Sequence, residues 1–352
     1  MNSPQLVRHP APHPTECLHG YVLRLSELNG YASPRHLYHL AEMKPTEISP
    51  TSFALTKLAT VTNQPQSRLQ RIAVSPKGGD SREFYVLGKR VGIAYLNLTG
   101  ARVCPECVAE KGYIEAHWHI DLMVACPIHE RTAVWFCGKC RSRLSWNRPG
   151  LLTCKCGAPL SIYLREKYSE TELWLLDLIR QKALGAVPHR PVDASLPGAQ
   201  LATTTLQSLL SLIRVLGEQR LKACRSSNRP LGRDLLRAAA SLFEKWPLNL
   251  QRHLRNISPH PSDDQSFSLS LDALSIQQAI SERFALRRQK TQSTLKKEAD
   301  TPRPTDHHQL SSKPHIVASS DLGTNAGPER CASTKSQQHT HPVRPQMDCD
   351  GE

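Results

Sequence analysis

The sequence predicts a mainly α-helical fold that is interrupted by a cysteine-rich segment and followed by a disordered tail. Apolar residues recur at helical spacing before residue 74 and again after residue 173. Between residues 102 and 165 this period is lost, and the chain's cysteines gather there in close pairs. We therefore expect an N-terminal helical region, a central cysteine-rich segment, a C-terminal helical domain and a polar tail, at residues 1–95, 96–168, 169–297 and 298–352.

The charge of the chain is concentrated in the part that can fold. Its 352 residues include 45 Lys and Arg against 31 Asp and Glu, a formal charge of +14. The tail from residue 298 holds five basic and eight acidic residues, no aromatic residue and six prolines, so it cannot bury enough apolar surface to offset its chain entropy. The basic remainder indicates a polyanionic partner, and a diffusely solvated charge stays the alternative.

The hydropathy of the chain gives no sign of a membrane partner. No run of about 18 apolar residues is present, and the N-terminal sequence MNSPQLVRHPAPHP lacks the apolar core of a signal peptide. We therefore expect a cytoplasmic protein. In a reducing compartment, closely paired cysteines are more typical of metal ligands than of disulfides.

Within the N-terminal region, Ser52–Ile72 shows the pattern of a helix-turn-helix. A small residue, Ala59, is followed by a turn former, Asn63, and then by apolar residues at Leu69 and Ile72. In a major groove, the second helix would present the residues Gln66, Ser67, Arg68, Gln70 and Arg71 to phosphates and base edges. Helix pairs of this kind also dock proteins, and the sequence leaves both functions open.

The central segment contains four pairs of metal-ligand residues. The pairs are CPEC, CPIH, CGKC and CKC, and a two-residue spacer lets one tight turn aim two side chains at one ion. A sequential partition gives a first zinc site from Cys104, Cys107, Cys126 and His129, and a second from Cys137, Cys140, Cys154 and Cys156. An interleaved partition, in which the first and third pairs share an ion, stays open.

Two further histidines, His117 and His119, flank Trp118 in this segment. An i, i+2 pair around an aromatic residue is typical of one face of a strand, so we do not expect them to be ligands. Each four-ligand zinc site would be filled by protein, which makes it structural rather than catalytic. The sequence has no HExxH, no P-loop and no acidic triad. We therefore expect a protein that is not an enzyme.

The C-terminal region shows apolar stripes of three helices. They are marked by Leu173, Leu176 and Ile179, then by Leu206, Leu209 and Ile213, then by Leu235, Leu236 and Leu242. Such stripes are typical of the inward faces of a small helical bundle.

Three stretches of the chain resemble the TniQ/TnsD family of transposon target-selection proteins. PHPTECLHGYVLRLSELNG, with Tyr21, Arg24 and Leu25, is similar to the family's opening. CPECVAEKGYIEAHWHIDLMVACPIHERTAVWFCGKC resembles its zinc motif, and LFEKWPLNLQRHL is similar to a C-terminal helix that ends in Trp-Pro. The residues at positions 17 to 20 depart from the small polar residues that are usual there.

The resemblance implies a non-enzymatic adaptor in the bacterial cytoplasm, associated with the nucleoid when bound to DNA. Such proteins recognise target DNA or a target-bound complex such as a CRISPR effector. They recruit the transposon's AAA+ ATPase, of the TniB/TnsC kind, and through it the transposase. The sequence leaves the oligomeric state open, with a homodimer among the alternatives. The competing hypothesis is a zinc-stabilised helix-turn-helix regulator that binds DNA without a transposition partner.

Overall fold

The computed structural model describes residues 5–49, 52–78, 80–160, 166–190, 196–223 and 231–257. The predicted disordered tail, residues 298–352, lies outside this part of the chain, as do residues 258–297 of the predicted C-terminal domain. The described part is mostly helical, as the apolar spacing predicts.

Four short helices make up the N-terminal region. They are α1 (Leu18–Leu28), α2 (Pro34–Leu40), α3 (Leu55–Thr62) and α4 (Gln66–Ile72). Side chains cap the first two, because the Cys17 thiol accepts from the Gly20 amide and the Ser33 hydroxyl accepts from the Arg35 amide. The inward faces of all four share one apolar cluster, which includes Tyr21, Leu37, Leu58 and Leu69.

A three-stranded antiparallel sheet follows α4, where the sequence indicated only a break in the helical pattern. Its strands are β1 (Ser75–Lys77), β2 (Asp80–Val86) and β3 (Lys89–Gly92), in the order β1-β2-β3. The Gly92 amide at the end of β3 donates to the Gln207 side chain over 2.6 Å. The sheet is thus attached to a helix more than one hundred residues away in sequence.

The central segment has little regular structure. It contains α5 (Pro105–Lys111), a 3-10 helix (Ala116–His119) and the two-residue strands β4 (Ala125–Cys126) and β5 (Arg131–Thr132). The expectation of a strand around His117 and His119 was wrong. Both side chains are buried in the 3-10 helix, because this tight turn packs all its residues against the core.

Five helices form the C-terminal part of the described chain. They are α6 (Glu170–Leu184), α7 (Gly198–Ala202), α8 (Leu206–Ala223), α9 (Gly232–Phe243) and α10 (Leu248–Ile257). The two helices α8 and α9 approach closely at Gly217, where an added Cβ would lie 2.5 Å from the Leu235 carbonyl oxygen. The Trp-Pro pair lies between α9 and α10, since α9 ends at Phe243 and α10 begins at Leu248. The Trp246–Pro247 peptide bond is cis.

The central segment and the C-terminal helices share one hydrophobic core. Buried members of this core range from Cys17 through Trp118 and Leu144 to Leu250. The division into four regions stays a prediction. No described helix combines the length and the apolar character that a membrane span requires.

Candidate metal centres

The first cluster brings together Cys104, Cys107, Cys126 and His129, and their ligand atoms all lie within 4.8 Å of one another. The Nδ1 atom of His129 lies 3.3 to 3.5 Å from the three sulfur atoms, and the sulfurs of Cys107 and Cys126 are 3.5 Å apart. A tetrahedral zinc site requires about 3.6 Å between nitrogen and sulfur and about 3.8 Å between two sulfurs. The four atoms therefore have the spacing of one tetrahedral site.

The second cluster is formed by Cys137, Cys140, Cys154 and Cys156. The sulfurs of Cys137 and Cys156 are 3.7 Å apart, and those of Cys140 and Cys154 are 3.8 Å apart. Both distances match the edge of a zinc–sulfur tetrahedron. The structure thus brings the eight residues together in the sequential arrangement rather than the interleaved one.

Local structure explains how each cluster forms. Cys104 caps the N-terminus of α5 and Cys107 lies in its first turn, so the helix fixes their separation. Cys126 ends β4, and the turn to β5 carries His129 back beside it. In the second cluster, the residue after Cys140 has a positive φ of 60° and Gly157 one of 79°, which closes each cysteine pair into a tight loop.

Hydrogen bonds link the thiols of the first cluster to one another. Hydrogen bonds from Cys104 and Cys107 lower the pKa of Cys126 to about 4, whereas hydrogen bonds to Cys104 and Cys126 raise the pKa of Cys107. Thiolate sulfur and imidazole nitrogen are metal ligands, and in each cluster four such atoms lie within 4.8 Å of one another. Both clusters can therefore hold metal ions.

An outer layer of charged residues orients the first cluster, and no motif in the sequence predicts this layer. The Nε2 atom of His129 lies 2.9 Å from a carboxylate oxygen of Glu110, which leaves Nδ1 to face the sulfurs. Glu106 lies 3.3 Å from the sulfur of Cys104 and pairs with Arg131 at 3.1 Å. Glu110 lies on α5 and His129 follows β4, so this contact depends on how the two elements pack.

A buried arginine braces the second cluster against the N-terminal region. Arg148 donates to the carbonyl oxygens of Ser145, Gly150 and Leu151 over 2.7 to 3.2 Å. The Leu151 amide in turn donates to the Glu27 carboxylate, at the end of α1, over 3.0 Å. The loop that joins the two cysteine pairs is therefore held by α1.

The two clusters differ in their exposure to solvent. Cys104, Cys107 and Cys126 are all buried, whereas Cys140 and Cys156 are exposed. Half of the ligands of the second cluster are therefore open to reagents that cannot reach the first.

The candidate DNA-contacting residues all lie on α4. The left-handed backbone of Asn63 makes the turn between α3 and α4, and Pro65 immediately precedes α4. Four of these five residues are exposed, and the fifth, Arg68, is half-buried and donates to Gln64 over 3.0 Å. The exposed four are Gln66, Ser67, Gln70 and Arg71.

Two buried histidines meet between α1 and the central segment. The rings of His19 and His119 lie 6.0 Å apart, and both contact Trp146. Burial lowers the pKa of His19 to about 3 and that of His119 to about 4. Both rings are therefore neutral in the folded protein at neutral pH.

This burial makes the free energy of unfolding depend on pH. Unfolded histidines titrate near pH 6.5, so below that pH the unfolded chain binds protons that the folded chain excludes. We expect full stability above pH 6.5 and a loss of about 1 kcal/mol per histidine at pH 5.5. Denaturant titrations of metal-loaded protein from pH 7.5 to 5.5 give the slope of the free energy of unfolding against pH. This slope should be smaller in His19→Gln than in the wild type but unchanged in His36→Gln, an exposed control. Equal slopes in the two variants would contradict the assignment.

A comparison with family models finds a match, and it lies in the N-terminal third of the chain. Residues 7–132 match the model of the TniQ family. This part of the chain is similar to a TniQ domain. This match extends from before α1 to the end of β5, so it includes the first cluster and α4, whereas the second cluster lies beyond it. No curated protein matches the chain. The match to the TniQ model indicates an association with transposition.

Proposed function

We propose that this protein selects the target of a transposon. In this function it binds target DNA, or a complex already bound there such as a CRISPR effector, and recruits the transposon's AAA+ ATPase, which engages the transposase. The observation that carries the proposal is the TniQ match over residues 7–132. The protein acts as an adaptor, and its metal clusters stabilise the fold and do not take part in catalysis.

Zinc is the metal that best suits the two clusters. Seven thiols and one imidazole are soft or borderline ligands, and their spacing fits tetrahedral coordination. Four protein ligands fill each site and leave no position for a substrate or a reactive water. His129 would bind through Nδ1, with Glu110 holding the ring in place.

We expect two zinc ions per chain, with unequal lability. A chelator reaches the exposed sulfurs of Cys140 and Cys156 directly, whereas the first site opens only when the surrounding core opens. Zinc release into a chromogenic chelator should therefore have a fast and a slow phase of equal size. Alkylation during the fast phase should label Cys140 and Cys156, and Cys140→Ser should retain only the slow phase. One ion per chain, or a single release phase, would contradict this assignment.

The exposed face of α4 supports direct contact with target DNA. Arg71 is exposed and makes no ion pair within the described part of the chain, so its charge is available to a phosphate. Gln66, Ser67 and Gln70 are hydrogen-bonding residues beside it, and amides of this kind read base edges in a major groove. The buried Leu69 and Ile72 hold the opposite face of α4 against α3.

The decisive experiment maps insertions of the associated transposon in cells that carry the wild-type gene, no gene, or Gln70→Ala/Arg71→Gln. We expect the deletion to redistribute or abolish insertions. The α4 variant should weaken DNA binding while purified protein still co-purifies with the AAA+ ATPase. The matched control is Arg35→Gln, an exposed charge on α2. An unchanged map together with absent ATPase binding would instead support the zinc-stabilised DNA-binding regulator.

A further inference from the structure

The loop region around the second metal cluster has an unbalanced charge. Residues 132–160, which we call the knuckle, contain five Lys and Arg residues and no Asp or Glu. One of the five, Arg148, is buried and donates to backbone carbonyls. The other four are exposed and are Lys139, Arg141, Arg143 and Lys155. Several cations on so short a segment that itself has no carboxylate are typical of a surface that meets an anionic partner.

The proposed zinc site does not cancel this charge. Four thiolates around one Zn²⁺ contribute −2, so the five basic residues leave the knuckle at +3. Lys139 and Lys155 each stand one residue from a cysteine ligand, and neither makes an ion pair within the described part of the chain. Their charges are therefore available to an anion.

Aromatic side chains lie among these cations. Phe136 is 41% exposed, and its ring contacts Trp135 edge-to-face at 5.1 Å. Arg143 pairs with Phe136 across an antiparallel bridge, and its guanidinium lies 5.9 Å from the Trp135 ring centre. The buried Arg102 lies 5.0 Å from the centre of the same ring. An exposed aromatic ring among cations can pack on sugars and bases while the cations hold phosphates.

We propose that the knuckle is a DNA-binding surface, distinct in sequence from α4, in which Lys139, Arg143 and Lys155 contact phosphates and Phe136 packs on the sugar-phosphate edge. This surface adds a second DNA contact to the proposed function. The inference rests on that function, because the proposed function identifies DNA as the partner. Lysine is depleted in protein–protein interfaces relative to the rest of the protein surface. Two unpaired lysines on a segment without a carboxylate therefore suit a phosphate backbone better than a protein.

The test measures the salt dependence of binding of the full chain to duplex DNA. Each lost phosphate contact lowers the slope of log K against log salt by about 0.9. Lys139→Gln/Lys155→Gln should therefore lower the slope by about 1.8. Between 50 and 200 mM salt, the wild type should lose about tenfold more affinity than this variant. Phe136→Ala should weaken binding without changing the slope, because it removes no charge.

Two control variants separate a specific contact from a general charge effect. Arg35→Gln/Arg252→Gln removes the same charge from exposed positions on α2 and α10 and should keep the wild-type slope. Lys139→Arg/Lys155→Arg keeps both positive charges and should also have the wild-type slope. Each variant is checked for two zinc ions, so that loss of the fold is not read as loss of contact. If Lys139→Gln/Lys155→Gln loses zinc, Phe136→Ala and the arginine variant alone decide the result.

The outcomes distinguish this surface from the proposed function as a whole. If the wild type binds DNA and the knuckle variant binds like the charge control, the knuckle is not a DNA contact. Unchanged DNA binding with loss of the AAA+ ATPase would assign the knuckle to protein docking and would also overturn the proposal. A wild type that binds no DNA contradicts the knuckle surface together with the α4 contact, while insertion mapping still tests target selection.

Discussion

Cys126→Ser is expected to release the metal ion of the first cluster and to unfold the segment around it. A serine hydroxyl replaces a thiolate poorly as a zinc ligand, and three remaining ligands leave the ion open to water. Binding of a structural zinc contributes on the order of 10 kcal/mol to folding, which exceeds the whole stability of many domains. The loss should therefore be a loss of structure rather than a small shift in the melting temperature.

The unfolding should spread beyond the cluster, because the cluster is part of the main core. Cys104, Cys107 and Cys126 pack in the same core as Ile114 and Trp118. The Cys17 amide also donates to the Ile114 carbonyl over 2.9 Å, which ties the start of α1 to this segment. Hydrogen exchange should show lost protection across residues 101–134, and elemental analysis should find one zinc ion instead of two.

Cys17→Ser is the matched control, since it makes the same chemical change at another buried cysteine. Cys17 lies outside both clusters, and burial raises the pKa of its thiol to about 12. It caps α1, where serine is a favoured residue. This variant should keep both zinc ions and most of the stability. Equal zinc loss in the two variants would contradict a ligand role for Cys126.

The two Cys/His clusters were predictable from the sequence because the spacing within each pair of residues is local. In CPEC, CPIH and CGKC the two ligands of each pair are three positions apart, so one turn of chain brings them together whatever the rest of the fold does. The choice between sequential and interleaved sites was not predictable in this way. It depends on how β4 and β5 return the second pair to α5, which is a matter of tertiary packing.

The helical regions were predictable for a related reason, and the sheet was not. Apolar residues of α1, α8 and α9 repeat with the helical period over several turns. β1 and β3 have three and four residues, too few for an alternating pattern to stand out. The contacts of Gln207 with Gly92 and of Glu110 with His129 were not predictable, because each joins residues that are distant in sequence.

A buried ion pair near the N-terminus couples the helical region to its preceding loop. The Glu16 carboxylate accepts from Nε of Arg24 over 2.8 Å and from a terminal guanidinium nitrogen over 2.7 Å. The same guanidinium donates to the Ala11 carbonyl, and the His13 amide donates to Glu16. The Glu16 side chain is fully buried and that of Arg24 is 9% exposed. Arg24 is one of the residues that carry the resemblance to the TniQ family.

Glu16→Ala is expected to lower the free energy of unfolding by about 3–5 kcal/mol, because it leaves the Arg24 guanidinium buried without a counter-charge. Denaturant unfolding measures this loss. Glu47→Ala is the matched control in the same region. It breaks the 2.8 Å ion pair between Glu47 and Lys57. The Lys57 side chain is 37% exposed and that of Glu47 is 30% exposed, so the loss of stability should be far smaller.

The double variant Glu16→Leu/Arg24→Met separates the charge effect from lost packing. Both charges are then absent and apolar volume remains, so we expect it to be more stable than Glu16→Ala. If the double variant is instead the less stable of the two, the hydrogen bond that Arg24 donates to the Ala11 carbonyl stabilises the loop by more than the unpaired buried charge of Arg24 destabilises it. In that case the arginine of this motif orders the chain before α1 by its donors, and Arg24→Lys, which lacks the planar fork, should be nearly as destabilising as Arg24→Met.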